Sequence, residues 1–446
     1  MLKYFIAFVA CVATLAPAAE RDPIYQDDPA ITKLLAALEP GQSAVLPAVN
    51  VKCGDIETWN FPRVGPGQRD YCNKMPYAPD RRTALYAGGN HRVPHRMNDV
   101  WEYHLGSNTW HLLYEPDGGN PSPHKGAYFL TSRTLVRDPD KKLTEKEQDE
   151  IAAYKTWWNE NVVFQDGHLC TTRGGPIMPA HTWDAFTYDA KTGLLLWGMG
   201  VSPAGQLSTQ AYFTGKPVEH WEKQADETYT PMWMFDVKKK KWIHYRTTEK
   251  HAALRGMGAT MCYLPGHKKT IWYVSAQNVS PAAYEMWLFD GDADKWTELK
   301  PNGGKSIGEL STKEKVAPMS ELQTAYSAKH QKMVAVLKHE TFVYDVAKNH
   351  WSKAVTDERI FAHDARTVFA YDEAADVFLL AYPKGDTKFA AFSLETGKWK
   401  IIQPDGPAFH EARYGGEMGY YDPVHNVFVL QRRGVDKMWV YRHASR

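Results

Sequence analysis

The sequence lacks the short motifs that mark several common enzyme families. It has no glycine-rich phosphate loop, no nucleophile-elbow serine motif and no Cys-x-x-Cys pair. Its net charge is only +1 over 446 residues, so no overall field gathers nucleic acid, and a polyanion would have to be held by a local patch. We therefore expect no nucleic-acid partner.

Long hydrophobic runs are also missing, apart from a short one at the start of the chain. Residues 1–18 predict a signal peptide: Lys3 precedes an apolar run over residues 4–15, and residues 16–18 read small-x-small. That run is too short to span a bilayer. We expect an exported protein, secreted or periplasmic, without a membrane span, in which residues 19–56 form an N-terminal extension with a short helix.

Cysteine is scarce, with 5 in the whole chain. Export permits disulfides, and Cys53 and Cys72 are close enough in sequence for a bridge worth ~3 kcal/mol on the chain-entropy model. We predict that bridge over the alternative of two thiols. Cys262 lies in an apolar strand and is predicted to be a buried thiol.

Aromatic residues are abundant, at 13% of the chain, and they recur in a repeated unit. Two short apolar strands are joined by a polar turn, and a Trp opens the second strand, as in residues 286–304. The marker residues are Trp110, Trp242, Trp296, Trp351 and Trp399. The last three intervals between them are about 50 residues, the period of kelch repeats, and the first is more than twice as long.

A second hairpin precedes each of these units, so every repeat holds four strands. First hairpins lie at 76–89, 182–199, 259–275, 322–338, 366–382 and 417–431. Four strands per repeat predict the blade of a β-propeller. The fourth-strand Trp and the Gly pair after Ala87 resemble the kelch repeat. The resemblance implies an all-β, kelch-like β-propeller over residues 57–446, with six legible blades, seven possible, and short helical insertions.

The two ends of the chain are predicted to meet in one blade. The last repeat ends after its third strand at Tyr441, whereas the stretch around Trp59 reads as an orphan fourth strand. We expect the Trp59 strand to complete the last blade, because ring closure removes an exposed sheet edge.

Two long segments interrupt the repeats, at 115–180 and at about 201–230. Within the first, Thr144 and Glu147 have the spacing of a capping box, and Ile151, Tyr154 and Trp158 then share one helical face. We predict a long loop with a helix there, and a loop over 201–230. Near the N-terminus, Asp28 is predicted to cap a helix that contains Ile31 and Leu35.

Blade geometry places short turns at one end of the propeller and longer loops at the other. The short turns are bland, whereas the loops concentrate His and Arg, which indicates a binding face. The candidate catalytic residues are His124 and His181. The candidate substrate-binding residues are His95, Arg173, Arg255, His363, Arg366, His410, Arg413 and Tyr414. For any single one of them, a structural role remains the alternative.

The planar guanidinium group of Arg can bind a carboxylate through two hydrogen bonds, and aromatic side chains can stack on sugar rings. The expected partner is therefore an acidic polysaccharide or glycan. Secreted propellers such as ulvan-type polysaccharide lyases have a similar architecture, and this resemblance implies β-elimination at a uronate by His, Tyr and Arg. The competing interpretation is a non-catalytic scaffold that binds a glycan or another protein.

Neither a metal nor another cofactor is predicted. His91 and His95 are four residues apart, but Pro94 argues against a helix that would place both on one side. Galactose oxidase also contains a kelch propeller, and its copper site needs two Tyr, two His and a Tyr–Cys cross-link. No such constellation is recognisable here, so an oxidase is disfavoured.

Overall fold

The chain forms a six-bladed β-propeller of small antiparallel sheets. The computed structural model describes residues 24–53, 72–88, 97–119, 124–179, 182–198, 203–225, 229–247, 259–275, 284–301, 307–310, 322–360, 367–382, 388–408, 417–432 and 437–445. The predicted all-β propeller class is confirmed. The long interval before the second blade holds an insertion rather than a seventh blade.

Each blade has four strands, with a fifth added to blade 1, and one further hairpin lies outside the blades. In chain order the strands are β1 (Ser43–Ala48), β2 (Asn50–Lys52), β3 (Tyr77–Ala78), β4 (Thr83–Ala87), β5 (Val100–His104), β6 (Thr109–Tyr114), β7 (Val162–Gln165), β8 (His168–Thr171), β9 (Phe186–Asp189), β10 (Leu194–Gly198), β11 (Tyr229–Asp236), β12 (Lys241–Arg246), β13 (Thr260–Leu264), β14 (Lys269–Ser275), β15 (Tyr284–Asp290), β16 (Lys295–Leu299), β17 (Gln323–Ser327), β18 (Lys332–Leu337), β19 (Glu340–Asp345), β20 (His350–Thr356), β21 (Val368–Asp372), β22 (Val377–Tyr382), β23 (Lys388–Ser393), β24 (Lys398–Ile402), β25 (Glu417–Asp422), β26 (Val427–Arg432) and β27 (Lys437–Tyr441). Blade 1 is β3 to β6 with β2 added at its outer edge, blades 2 to 5 begin at β9, β13, β17 and β21, and blade 6 is β25 to β27 with β1.

Helices lie outside the blades. They are α1 (Pro29–Ala36), α2 (Lys125–Phe129), α3 (Leu135–Arg137), α4 (Glu145–Asn161), α5 (Pro203–Thr214), α6 (Val218–Glu222) and α7 (Ile307–Leu310), with a 3₁₀ turn at Leu105–Ser107 and a π turn at Leu130–Thr134.

Every Trp marker is the second residue of a fourth strand and is buried. Each pairs across the sheet with an aromatic residue of the third strand, at ring-centroid distances of 4.9 to 5.3 Å. The pairs are Tyr103–Trp110, Phe235–Trp242, Phe289–Trp296, Tyr344–Trp351 and Phe392–Trp399. Cross-strand aromatic pairs of this kind fix the register of the outer hairpin.

The ring is closed by β1, which pairs antiparallel with β27 as the fourth strand of blade 6. An N-terminal strand was predicted in this place, but the choice of the Trp59 stretch was wrong. β27 has β26 on one side and β1 on the other, so both of its edges are occupied. Trp59 itself lies outside the described residues. Ser43 lies opposite Tyr441, where the other blades have Trp, so β1 lacks the residue that marks the other fourth strands in the sequence.

After β1 the chain passes directly to the neighbouring blade. β2 adds to the outer edge of blade 1, parallel to β6, so residues 43–52 join the outer edges of blades 6 and 1. Helix α1 begins as predicted: the Asp28 side chain accepts from Ala30 N at 2.7 Å, with Pro29 at the first helical position. Ile31 and Leu35 then pack into the core shared by these two blades.

The insertion between blades 1 and 2 contains helices and a hairpin, β7–β8. Its longest helix, α4, has the predicted capping box: Glu147 N donates to Thr144 Oγ1 at 3.2 Å, and Thr144 N donates to Glu147 Oε2 at 2.9 Å. Tyr154 and Trp158 are buried, as the helical face predicted.

The segment predicted as a loop over 201–230 contains helices α5 and α6. They pack on the insertion, where Trp158 Nε1 donates to Gln210 Oε1 at 2.6 Å and Phe213 meets Tyr154 edge-on at 5.3 Å. Two segments distant in sequence therefore share one core. The prediction failed because the apolar side chains of these helices are buried only by contact with the insertion, which is distant in the sequence.

The predicted Cys53–Cys72 disulfide is not formed. The two side chains lie in the same core, and the Cys72 thiol donates to the carbonyl oxygen of Ala87 at 3.0 Å. Cys262 is a buried thiol, as predicted, and burial raises its pKa to about 12.

Candidate functional site

Polar side chains close the centre of the propeller at the starts of the innermost strands. We call Asn73, Lys74, Asp184, Thr260 and Thr324 the axial network. Lys74 Nζ lies 3.1 Å from Asp184 Oδ2 and donates to the carbonyl oxygen of Met261 at 2.6 Å. The network joins the segments that precede the first strands of blades 1 and 2 to blade 3 across the axis.

Asp184 receives most of the remaining hydrogen bonds of the network. The Thr324 hydroxyl donates to Asp184 Oδ2 at 2.7 Å, and the Thr260 hydroxyl also bonds this carboxylate. Burial raises the pKa of Asp184, while Lys74 and the two hydroxyls oppose that shift. A buried carboxylate needs such partners, because the desolvation of an unpaired charge is costly.

Asn73 extends the network to blades 4 and 5. Its side-chain nitrogen donates to Gln323 Oε1 at 2.8 Å and also bonds the carbonyl oxygen of Thr367. Its backbone oxygen accepts from Gly419 N of blade 6 at 3.1 Å. Two consecutive residues, Asn73 and Lys74, thus contact all five of the other blades around the axis.

A glycine also allows blades 1 and 2 to pack closely together. It is the first residue of the Gly pair that follows Ala87 in the sequence. Gly88 has a φ of +82°, and a Cβ there would meet the side chains of Thr182 and Trp197. Only glycine combines this backbone conformation with so close an approach. Gly89, its partner in the motif, lies outside the described residues.

Of the predicted site residues, the structure describes His124 and Arg173, and both belong to the insertion. His124 packs on the rings of Tyr154 and Trp157, at centroid distances of 5.6 and 5.8 Å. Burial lowers the pKa of His124, so its imidazole is neutral at neutral pH.

Arg173 fastens the insertion to blade 1. Its Nη1 lies 3.1 Å from Asp117 Oδ1, and its guanidinium carbon is 4.3 Å from the centroid of the Tyr114 ring. Asp117 also accepts from Tyr114 and from Asn98, at 2.9 and 2.8 Å. The guanidinium keeps a half-exposed side, at 53% of the side-chain surface.

The other candidates lie outside the described residues: His181, His95, Arg255, His363, Arg366, His410, Arg413 and Tyr414. Sequence reasoning missed Lys74 and Asp184. Each is a lone charge with no motif around it, and the two are joined only by the closure of the ring.

Within the part of the chain that the structure describes, no group of three or more His, Cys, Asp or Glu side chains is arranged to hold a metal ion. No helix among the described residues is both long enough and apolar enough to cross a membrane.

No protein-family model matches this chain, and no curated protein matches it. Among solved structures it is similar to a chain in the crystal structure of a mitotic checkpoint complex, with 9% identity, 100% of both chains covered and a TM-score of 0.40. It is also similar to an auxiliary nutrient binding protein from Bacteroides ovatus, with 8% identity, 90% of this chain and 76% of that chain covered, and a TM-score of 0.44. The function must therefore be inferred from the residues of the site itself.

Proposed function

We propose that this protein is an exported binding scaffold that holds an acidic glycan at the loop end of its propeller. Five of the six blades carry the fourth-strand Trp, which supports a kelch-type origin for the repeats. Propeller folds serve many functions, so the class of ligand depends on the loop residues and not on the architecture.

The observation that carries the proposal is the convergence of the innermost strands on the axial network. Thr182 and Thr367 are direct chain neighbours of His181 and Arg366, and consecutive Cα atoms are about 3.8 Å apart. Thr367 is bonded by Asn73 at the axis. This adjacency in the sequence supports the proposal that the two candidates act near the centre of the ring.

The residue types in the loop segments support an anionic ligand. Residues 248–258, 361–366 and 409–416 lead into β13, β21 and β25, and they include Arg255, Arg366 and Arg413. Guanidinium groups hold carboxylates or sulfates through two parallel hydrogen bonds, and His and Tyr add donors and ring surface. A polysaccharide of uronate units matches this set.

Calorimetric titration with oligogalacturonate, and with its carboxyl-reduced counterpart, tests the binding. We expect saturable binding of the acidic form only, weaker at high salt. Arg366→Gln with Arg413→Gln should weaken it about tenfold or more. Lys239→Gln is the matched control, since Lys239 lies in a short turn at the opposite end and is exposed. Equal binding of both sugars contradicts the proposal.

The enzymatic form of the proposal is a polysaccharide lyase. The lowered pKa of His124 favours it, because a neutral imidazole can remove the C5 proton of a uronate. Incubation with uronate polysaccharides should then raise the absorbance of unsaturated uronate. His124→Ala and His181→Ala should each abolish the rise. Saturable binding without any rise favours the non-catalytic scaffold, and a rise that survives both changes refutes the two catalytic assignments.

Export is part of the same proposal and has a separate test. Removal of residues 1–18 by signal peptidase would leave a mature chain that starts at Ala19. N-terminal sequencing of protein recovered from the periplasm or the medium should find that start. An unprocessed chain in the cytoplasm would refute export without affecting the glycan experiment.

A further inference from the structure

The innermost strands place a tyrosine at the same position in all six blades. The tyrosine ring comprises Tyr77, Tyr188, Tyr263, Tyr326, Tyr371 and Tyr421. Each is the second-to-last residue of its strand, paired with the second residue of the next strand. In every blade four residues then form the turn, and the last of them has a positive φ. The repeat therefore builds a ring of phenols at the short-turn end of the axis.

These six residues line one cavity of about 550 Å³. The axial network contributes Lys74 and Thr324 to its lining, and residues of the short turns, such as Pro265 and Pro423, line its rim. The cavity thus lies on the side of the axial network away from the loops. Its volume falls within the range of about 300–1,000 Å³ that is typical of small-molecule sites.

The charges of the lining argue for a neutral ligand. Lys74 is paired with Asp184, and Lys329 lies 2.7 Å from Asp376 Oδ2. Glu373, the remaining charged residue of the lining, is exposed to solvent. Both lysines already have a carboxylate partner, so an anionic ligand would lose its hydration without gaining a new ion pair. A cation would exchange its hydration for a carboxylate that is itself solvated, which gains little.

The hydrogen-bonding capacity points to a ligand that donates. Tyr188, Tyr371 and Tyr421 already donate their hydroxyl hydrogens, at 2.7, 2.7 and 2.8 Å, to oxygens of turn side chains. Their phenol oxygens keep lone pairs that accept. Tyrosine rings also offer flat apolar surface, so the lining suits a molecule with hydroxyl donors and an apolar face.

We propose that the tyrosine-lined cavity is a second binding site, for a neutral disaccharide. A sugar ring supplies hydroxyl donors for the phenol oxygens and a C–H face for the aromatic rings, and it carries no charge. This site is independent of the loop-end proposal, because it lies at the other end of the axis and takes a ligand of different charge.

Calorimetry with maltose, cellobiose, xylobiose, glucuronate and indole tests the site. We expect at least one neutral disaccharide to bind saturably at one site, with little dependence on salt. Ala370→Phe should abolish binding, because Ala370 lines the cavity and the larger ring fills it. Tyr371→Phe, a nearly isosteric change that removes one of these accepting phenol oxygens, should weaken binding about fivefold to tenfold.

Tyr326→Phe is the matched control. The Tyr326 hydroxyl is buried and has no hydrogen-bond partner among the described residues, so a ligand does not reach it and affinity should stay unchanged. Thermal melting shows that each variant is folded. No binding by any neutral disaccharide, binding of indole or glucuronate alone, or wild-type affinity in folded Ala370→Phe overturns the proposal. Ala370→Phe should leave oligogalacturonate binding intact, which separates this site from the loop end.

Discussion

Lys74 and Asp184 form a buried ion pair on the axis, with 16% and 3% of their side-chain surfaces exposed. Lys74 precedes blade 1 and Asp184 precedes blade 2, and both contact blade 3, since Lys74 bonds the carbonyl oxygen of Met261 and Asp184 bonds Thr260. Lys74 also lines the tyrosine-lined cavity, at the end away from the short turns. The integrity of the ion pair therefore bears on the stability of the ring and on the lining of that cavity.

Asp184→Asn should lower the free energy of unfolding by about 3 kcal/mol, because it leaves the Lys74 ammonium unpaired in a buried place. The double variant Lys74→Met with Asp184→Asn should regain a large part of that loss. Urea denaturation measures both. In the exposed pair Lys191 and Asp292, at 3.3 Å, the same changes should cost under about 1 kcal/mol. Strict additivity at the axis would mean that the two groups do not interact.

Lys74→Met alone gives a pH dependence with a defined sign. Burial already raises the pKa of Asp184 above its unfolded value, and loss of the lysine raises it further. Such a group contributes stability at low pH that is lost as the pH rises through the folded pKa. The variant should therefore lose more stability than the wild type as the pH rises from about 4. Denaturation curves at several pH values measure this difference, and parallel pH profiles would contradict it.

Leu46→Ala should destabilise the protein by about 2–5 kcal/mol, since Leu46 is 1% exposed in the core between blades 6 and 1. Val45→Ala, on the same strand, is the control: Val45 is 42% exposed and its truncation should cost under about 0.5 kcal/mol. Thermal or urea unfolding measures both. Similar effects at the two positions would show that β1 is not docked as the fourth strand of blade 6.

His104 should make the protein less stable as the pH falls. Burial lowers its pKa to about 4, despite Asp27 Oδ1 at 3.3 Å from its Nε2, whereas an unfolded histidine titrates near 6.5. The unfolded chain binds more protons between these values, so the stability from His104 is complete above about pH 6.5 and is lost toward pH 4.

The stability difference between the wild type and His104→Gln should accordingly shrink between neutral pH and about pH 5. Urea denaturation of the two proteins side by side measures it. His350→Gln is the control, because His350 is exposed. A constant difference would place the pKa of His104 near the unfolded value and contradict its burial.

Repeats and helix starts were predictable because their signals are local. A Trp two residues into a strand pairs with an aromatic residue of the adjacent hairpin strand, as Phe289 and Trp296 do, and such pairs form within one repeat. Asp28 and Thr144 cap the helices that follow them directly. In each case the interacting groups are close in the sequence, so the pattern can be recognised before the fold is known.

The features that sequence reasoning missed all depend on partners far along the chain. β1 carries no Trp and becomes a strand by docking on β27, nearly 400 residues later. Helix α5 is buried by the insertion, which also contains α4. The Cys53–Cys72 bridge was predicted from spacing alone, and the Cys72 thiol is instead directed to the carbonyl oxygen of Ala87.

The amino-acid sequence alone specifies the blade: short strands alternate with polar turns, and a Trp pairs across the outer hairpin. It also determined that a tyrosine stands near the end of each innermost strand. The assembled fold is needed to show that β1 closes the ring and that Lys74 and Asp184 meet on its axis. Ring closure brings residues from all the repeats together at the axis. These residues are far apart in the sequence, so no local sequence pattern shows that they are in contact.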